Sequence, residues 1–449
     1  MVPTTMASGD PPGELRRSLG LRDASALVIG TVIGTGVFLK TAPMTQAVGS
    51  PLAVMVAWAV AGALSFTGAL AYAELGAMYP HAGGEYVYLR EAWGRLPGFL
   101  YGWTRFWIGT PGSIAAYAVG AATFADGLLP IGGARVPVAV GLIGVFTALN
   151  CLTVAFGGRV QSIMTALKLT IVLGLAVMVI GGSGGDWGRL GGGTAHWGVS
   201  AFGAATLAAL WATDGWNNLP MAAGEVRDPE RNVPRALVVG MLIVLGLYVL
   251  VNLAFFYALP LESIVTSNSD AYKDAPAVAT RAAESVLGSA GVRVISVAFV
   301  LSALGAMNGS ILTSARVPYA MAKDKLFFAA LGRVSTRTGV PVIAVIVQGA
   351  WACVLASSGS FDQLTNYVVF ASWVFYALAA AGVIALRIRH PGLARPFRVP
   401  FYPWLPVVFV LTSIALLAVT IWNAPTESAI GLGFIAAGVP AYAIARRTR

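Results

Sequence analysis

Two short stretches of this sequence put polar and conformationally free residues inside otherwise apolar runs. The first is Gly30-Thr31-Val32-Ile33-Gly34-Thr35-Gly36-Val37-Phe38. Three glycines and two threonines within seven positions make a poor helix core. The second is Trp211-Ala212-Thr213-Asp214-Gly215-Trp216-Asn217-Asn218-Leu219-Pro220. There a carboxylate, a glycine, two asparagines and a proline interrupt an apolar segment. A helix broken at such a stretch exposes its backbone dipoles. The first half ends on free carbonyls, near Val32 and Trp211. The second half begins on free N–H groups, near Gly36 and Val37. N–H groups at a helix start hold an anion, and carbonyls accept from an ammonium. An anion seat beside a cation seat suits a zwitterion such as the backbone of an α-amino acid. Gly34 and Gly36 let that ligand approach the main chain closely.

Each stretch also has a plainer reading. Gly30 and Gly34 are spaced for close helix packing of the small-xxx-small kind. Asp214 can cap the unwound backbone, pair with a buried lysine, or face a ligand cavity and favour cationic side chains. A carboxylate at the centre of a membrane helix costs about 2.5–3.5 kcal/mol on insertion scales, which marks it as a site candidate. Lys168 lies deep within another apolar run, too far from either end to snorkel. It is either a strut satisfied by backbone carbonyls or a fixed cation joining the first span to the eighth. Ser302, Ser310, Thr313 and Ser314 are the partners on offer there. Arg105 and Glu74 fall nearer the cytoplasmic ends of their helices and receive no site role. Gly83-Gly84-Glu85-Tyr86 reads as an inner loop with a gating contact at most.

The elements that must position these residues are membrane spans. Hydrophobic residues make up 57% of the 449 and charged residues 11%, against roughly 25% charged in soluble domains. Mean hydropathy is +0.76. A chain this apolar cannot cover a water-facing surface, which excludes a soluble enzyme, a nucleic-acid binder and a disordered protein. Apolar segments run at roughly 23–47, 51–78, 97–124, 136–155, 157–181, 198–223, 235–258, 290–320, 340–358, 364–386, 402–422 and 427–445. They are long and unbroken, so they are helices and not barrel strands. Placing the N-terminus inside and alternating, inner loops carry 21 of the 29 Lys and Arg and outer loops carry five. That asymmetry follows the positive-inside rule and puts both termini in the cytoplasm. The net charge of +10 is thus a topology signal. The stretch 260–290 reads as an amphipathic outer loop.

The interrupted first and sixth spans are five apart. Five is odd, so two successive five-helix units have opposite topologies, and paired interruptions in such repeats point to a transporter's central site. The expectation is an all-α membrane protein of about 12 transmembrane helices with a 5+5 inverted-repeat (LeuT-like) core. Residues 1–22 form a cytoplasmic tail and 23–386 the core, with halves at about 23–181 and 198–386. Residues 387–449 supply two further helices and a basic tail.

On these stretches the sequence resembles the amino acid–polyamine–organocation superfamily, and within it the L-type amino acid transporter branch of light-subunit type. The resemblance runs from about residue 18 to 445. Besides residues 30–38 it rests on Tyr72-Ala73-Glu74-Leu75-Gly76, Gly83-Gly84-Glu85-Tyr86-Val87-Tyr88, Val160-Gln161 followed by Lys168, Gly215-Trp216-Asn217, residues 225–234, and Asn308-Gly309-Ser310. It implies that Thr35 and Gly36 bind the substrate carboxylate and that the carbonyls of Val32 and Trp211 meet the amine. Trp211 stands where relatives place an aromatic gate. Asp214 stands where some members that accept cationic substrates have Asp. Lys168 matches a lysine taken to occupy the place of a bound sodium ion. With Gly34, Trp216 and Asn217, these form the expected substrate site. Animal members carry a cysteine after the third span that links to a heavy subunit. Here Leu129-Pro130-Ile131-Gly132-Gly133-Ala134-Arg135 has none, so no disulfide-linked partner is expected.

The expected function is secondary active amino acid transport by alternating access in the plasma membrane. It takes the form of sodium-independent exchange of neutral amino acids, extended to cationic ones if Asp214 faces the substrate. Proton-coupled symport is the alternative. No P-loop, HExxH or GxSxG stretch is present and only three histidines exist, so no ATP-driven pump, catalytic residue, metal or cofactor is expected. The partners are the lipid bilayer and a small amino acid substrate. A channel would need rings of charge or a repeated carbonyl filter, which the sequence lacks.

Overall fold

The computed structural model describes residues 14–447, apart from 127, 130, 132, 183, 195–197, 270, 359, 360 and 424, with backbone alone for 361–370, 423 and 427. Residues 1–13 of the N-terminal tail, and Pro130 and Gly132 of the 129–135 loop, lie outside the described residues. The described chain is helical, save one isolated parallel bridge between Leu19 and Val226.

The first apolar run is three pieces: α1 (Leu21–Val32), α2 (Gly36–Leu39) and α3 (Thr41–Val48). The next helix, α4 (Pro51–Met78), starts on a proline, whose missing N–H costs nothing at that position. Then come α5 (Glu85–Trp93), α6 (Arg95–Thr104) and α7 (Thr110–Asp126), the last two joined by a π-helical turn over Arg105–Gly109. Helices α8 (Arg135–Asn150) and α9 (Val154–Gly181) close the first half. The second half opens on another broken helix, α10 (Val199–Ala212) and α11 (Asn218–Met221). It continues through α12 (Pro229–Ala258), α13 (Leu261–Val265), α14 (Val278–Leu287), α15 (Ser289–Ser314), α16 (Arg316–Lys323), α17 (Val342–Ser357) and α18 (Phe361–Arg389). Helices α19 (Trp404–Asn423) and α20 (Pro425–Arg447) end the chain.

Among the described residues, eight helical stretches are long and apolar enough to cross a membrane, and α8, α10 and α17 are shorter apolar helices. The protein is therefore a multi-pass membrane protein. The stretch Leu21–Leu39 is 67% buried inside the fold, whereas Trp404–Trp422 and Ser428–Arg447 are 22% and 17% buried. The interrupted first helix thus lies at the centre and the last two at the periphery. Around it, α1 packs between α9 and α12, with α15 alongside.

The 260–290 stretch folds as α13 and α14. Val278, Ala279, Ala282 and Ala283 are buried on one face of α14, the helical spacing of an amphipathic segment. The Gly83-Gly84-Glu85-Tyr86 stretch departs from its reading as a loop. It begins α5, where Glu85, Tyr86, Val87, Tyr88 and Leu89 are all buried. The Gly83 N–H donates to the Met221 carbonyl at 2.9 Å, which docks this turn under the inner end of the second broken helix.

Candidate functional site

Both interruptions fall where the glycines and polar residues predicted them. The helix stops at Val32 and resumes at Gly36, and stops at Ala212 and resumes at Asn218. Gly215 sits at φ +114°, and a Cβ there would lie 2.8 Å from the Thr31 carbonyl oxygen. Only glycine adopts that backbone so close to a neighbouring chain. The Thr31 hydroxyl lies 2.9 Å from the Gly215 carbonyl and 2.7 Å from that of Leu27 in its own helix, so the two breaks meet within hydrogen-bonding distance. The Tyr248 hydroxyl, from α12, lies 3.1 Å from the Val32 carbonyl and 2.9 Å from that of Ala212. One side chain thus serves the C-terminal ends of both half-helices.

Val32, Gly34, Thr35, Gly36, Trp211, Asp214 and Asn217 line one cavity between the breaks. Trp216 does not. Its ring is buried away from the cavity, edge-on to Tyr72 at 4.8 Å and tilted against Tyr376 at 5.7 Å. Among the described residues, the N–H groups of Thr35 and Gly36 make no backbone hydrogen bond. The carbonyls of Val32 and Trp211 are already engaged within the break. That of Val32 accepts from Gly34 N–H at 2.8 Å, and that of Trp211 from Asp214 N–H at 3.4 Å. Each keeps a second lone pair, the one on Val32 within reach of Tyr248. Gly34 leaves room, since a Cβ there would meet only the Tyr117 ring at 3.7 Å. Gly36 does not, since its Cβ would come within 2.6 Å of Ala212 Cβ and 2.9 Å of Ala212 Cα. Its lack of a side chain serves the packing of one break on the other.

Lys168 is fully buried. Its ammonium donates to the carbonyls of Gly30 at 2.9 Å, Ile33 at 2.8 Å and Ser302 at 3.1 Å. An ammonium has three donors, and all three are used. Of the four partners read from the sequence, Ser302 is the one in place. Its hydroxyl lies 2.8 and 2.9 Å from the Ile33 and Gly34 carbonyls and has one hydrogen for the two. Lys168 therefore ties the unwound stretch to both α9 and α15. Asp214 is not its partner: the Asp214 carboxylate accepts from the Tyr376 hydroxyl at 3.0 Å.

The sequence reading missed several contributors. Arg105, set aside as interfacial, is 9% exposed and lines the cavity. It donates to Asn218 Oδ1 at 3.0 Å. Its sequence signal was a charged residue about ten residues into a helix, some 15 Å along at 1.5 Å per residue. Ser113, Tyr117, Asn218, Ser310 and Ser372 line the cavity too. Glu85 lies beneath it, accepting from the Tyr72 hydroxyl at 2.5 Å and from Asn217 at 3.5 Å. Glu74, also set aside, pairs with Arg387 at 2.6 Å. Among the described residues no group of three or more His, Cys, Asp or Glu could hold a metal ion.

Beyond α11, a buried ion pair follows the second broken helix. Glu225 and Arg316 form a two-pronged pair at 2.7 and 2.8 Å, and both side chains are wholly buried. The backbone N–H groups of Ser18 and Leu19 donate to the Glu225 carbonyl at 2.9 Å, and Arg227 N–H returns a bond to Leu19.

The sequence that builds this cavity is similar to those of known proteins. The chain matches the amino acid permease family over residues 19–444. It is 33% identical over 432 residues to the serine/threonine exchanger SteT of Bacillus subtilis, covering 95% of this chain and 96% of that protein. It is 31% identical over 453 residues to the human cystine/glutamate transporter, covering 98% and 88%. It is 33% identical over 425 residues to the human b(0,+)-type amino acid transporter 1, covering 92% and 84%. Matched along nearly its whole length, the chain belongs to the amino acid permease family of the amino acid–polyamine–organocation superfamily, and it is an amino acid transporter and not an enzyme.

Proposed function

We propose that the protein is a sodium-independent amino acid exchanger working by alternating access, with both termini on the cytoplasmic side of the plasma membrane. The observation that carries this is the meeting of two broken helices at one polar cavity. Joining α1–α3, α6–α7, α10–α11 and α15–α16 as single spans, and adding α4, α8, α9, α12, α17, α18, α19 and α20, gives twelve. The first ten divide into halves at 23–181 and 198–386, each opening on a broken helix, which is the pattern of a 5+5 inverted repeat. Residues 387–449 then form a peripheral pair with a basic tail, in keeping with the low burial of α19 and α20.

The substrate's carboxylate is assigned to the Thr35 and Gly36 N–H groups, and its amine to the carbonyl side of the breaks at Val32 and Trp211. Sodium independence rests on Lys168. A fixed ammonium holds the Gly30, Ile33 and Ser302 carbonyls, oxygens that would otherwise suit a small cation, and it repels sodium from that spot. Exchange is the activity named for the bacterial relative. Neutral amino acids fit the reading. Cationic ones depend on Asp214, which Arg105 opposes from the same cavity. The alternative, proton-coupled symport, requires Lys168 to trade its proton during the cycle. A disulfide-linked heavy subunit is not part of the proposal, because the stretch 129–135 after the third span carries no cysteine.

The test is uptake of labelled amino acid into liposomes in sodium-free buffer. Exchange predicts uptake stimulated by unlabelled amino acid inside and indifferent to an imposed pH gradient. Accumulation that follows an inward proton gradient and collapses with an uncoupler would establish symport instead. A strict sodium requirement would defeat both.

A further inference from the structure

The cavity contains an arginine that the zwitterion seat does not use. Arg105 lines it from the first turn of the π-helical segment Arg105–Gly109, a local geometry that recurs at functional sites. The side chain is 9% exposed. Among the described residues it makes no ion pair, and its one hydrogen bond is to Asn218. Its Nε–H is buried with no acceptor, and a buried donor of this kind needs one. Asp214 lines the same cavity and has an acceptor oxygen engaged by Tyr376. The two charged groups are not paired with each other. A ligand side chain between them meets one strong donor and one strong acceptor.

Building on the exchange reading, we propose that Arg105 is a specificity-determining residue. With Asp214 it selects amino acids whose short neutral side chains both accept and donate a hydrogen bond, namely hydroxyls and carboxamides. The side-chain oxygen takes a donor of the Arg105 guanidinium, and the hydroxyl or amide hydrogen goes to Asp214. A carboxylate side chain gains Arg105 and meets Asp214 with like charge. An ammonium side chain meets the reverse. An apolar side chain of the same size leaves the spare Arg105 donor and the spare Asp214 acceptor unfilled, and sites built on hydrogen bonds reject such analogues far more strongly than apolar pockets reject a missing methylene.

The experiment compares isosteric competitors of labelled serine exchange in liposomes. In the wild type, serine should inhibit at a concentration at least about tenfold below alanine, and asparagine at least about tenfold below leucine and aspartate. Arg105→Met should bring the serine-to-alanine and asparagine-to-leucine ratios toward one, and Arg105→Lys should fall between. Melting temperature and monodispersity in detergent identify folded variants, and the wild-type ratios decide the matter if neither variant folds. Equal inhibition within each isosteric pair, lysine or aspartate outcompeting serine, or unchanged ratios in folded Arg105→Met would each overturn the proposal. Absence of trans-stimulated uptake for every amino acid would strike the exchange reading itself. Exchange with flat side-chain selectivity strikes only the role of Arg105.

Discussion

Lys168 spends its whole hydrogen-bonding capacity on three backbone carbonyls, two of which flank the end of α1. Removing it leaves those buried oxygens short of a donor, at about 1–3 kcal/mol for each group left unsatisfied. Lys168→Ala should therefore lower the melting temperature and abolish exchange. If the carbonyls form a cation seat, sodium should raise the melting temperature of Lys168→Ala more than equimolar potassium or choline does. Equal effects of the three salts would count against that seat. Lys168 and Asp214 were legible in the sequence because a lone charge in an apolar run stands out against its surroundings. Arg105 carried the same signal, but its depth depends on where its helix begins and on the π-turn, neither of which composition reveals. Trp216, expected at the site, does not line the cavity. A residue beside a break can face either way, and the packing of Tyr72 and Tyr376 decided it.

At the scale of elements, the two broken helices act on each other as much as on a ligand. Gly36 abuts the backbone of Ala212, and Gly215 abuts that of Thr31. Gly36→Ala would force those chains apart, an overpacking cost of about 1–3 kcal/mol, and should lower the melting temperature as well as substrate affinity. Gly34→Ala adds only an ordinary contact with Tyr117, so it should leave the melting temperature near wild type and act on affinity alone. Thermal unfolding and substrate titration of the two variants in detergent separate these outcomes. A Gly36→Ala protein as stable as the wild type would refute the packing role. Glycine content located both breaks in advance, because a run of poor helix formers is a local property. The burial of α5 was not legible. Its polar Gly-Gly-Glu-Tyr start looks like a loop until Tyr72, Asn217 and Met221 are brought over it, and those contacts are distant in sequence.

For the molecule as a whole, composition pointed to the membrane and the apolar runs to a multi-pass helical chain, since both are sums over many residues. What they could not show was the buried ion pair beyond the second broken helix. Glu225 and Arg316, wholly buried and doubly bonded, lie beneath the cavity with the N-terminal segment laced across the same point. Stranding one member of such a pair costs roughly 3–5 kcal/mol. An empty protein would then open at that face in between about one molecule in 150 and about one in 5,000, if opening costs as much as stranding one member of the pair. On the exchange reading, binding energy from the substrate would offset that cost, so transit would track occupancy and the unloaded protein would not leak. Neutralising both partners together, as Glu225→Gln with Arg316→Met, should raise efflux of preloaded substrate into substrate-free buffer, whereas the wild type holds its load. Efflux as slow as wild type from a folded double variant would mean that the seal against leakage lies elsewhere.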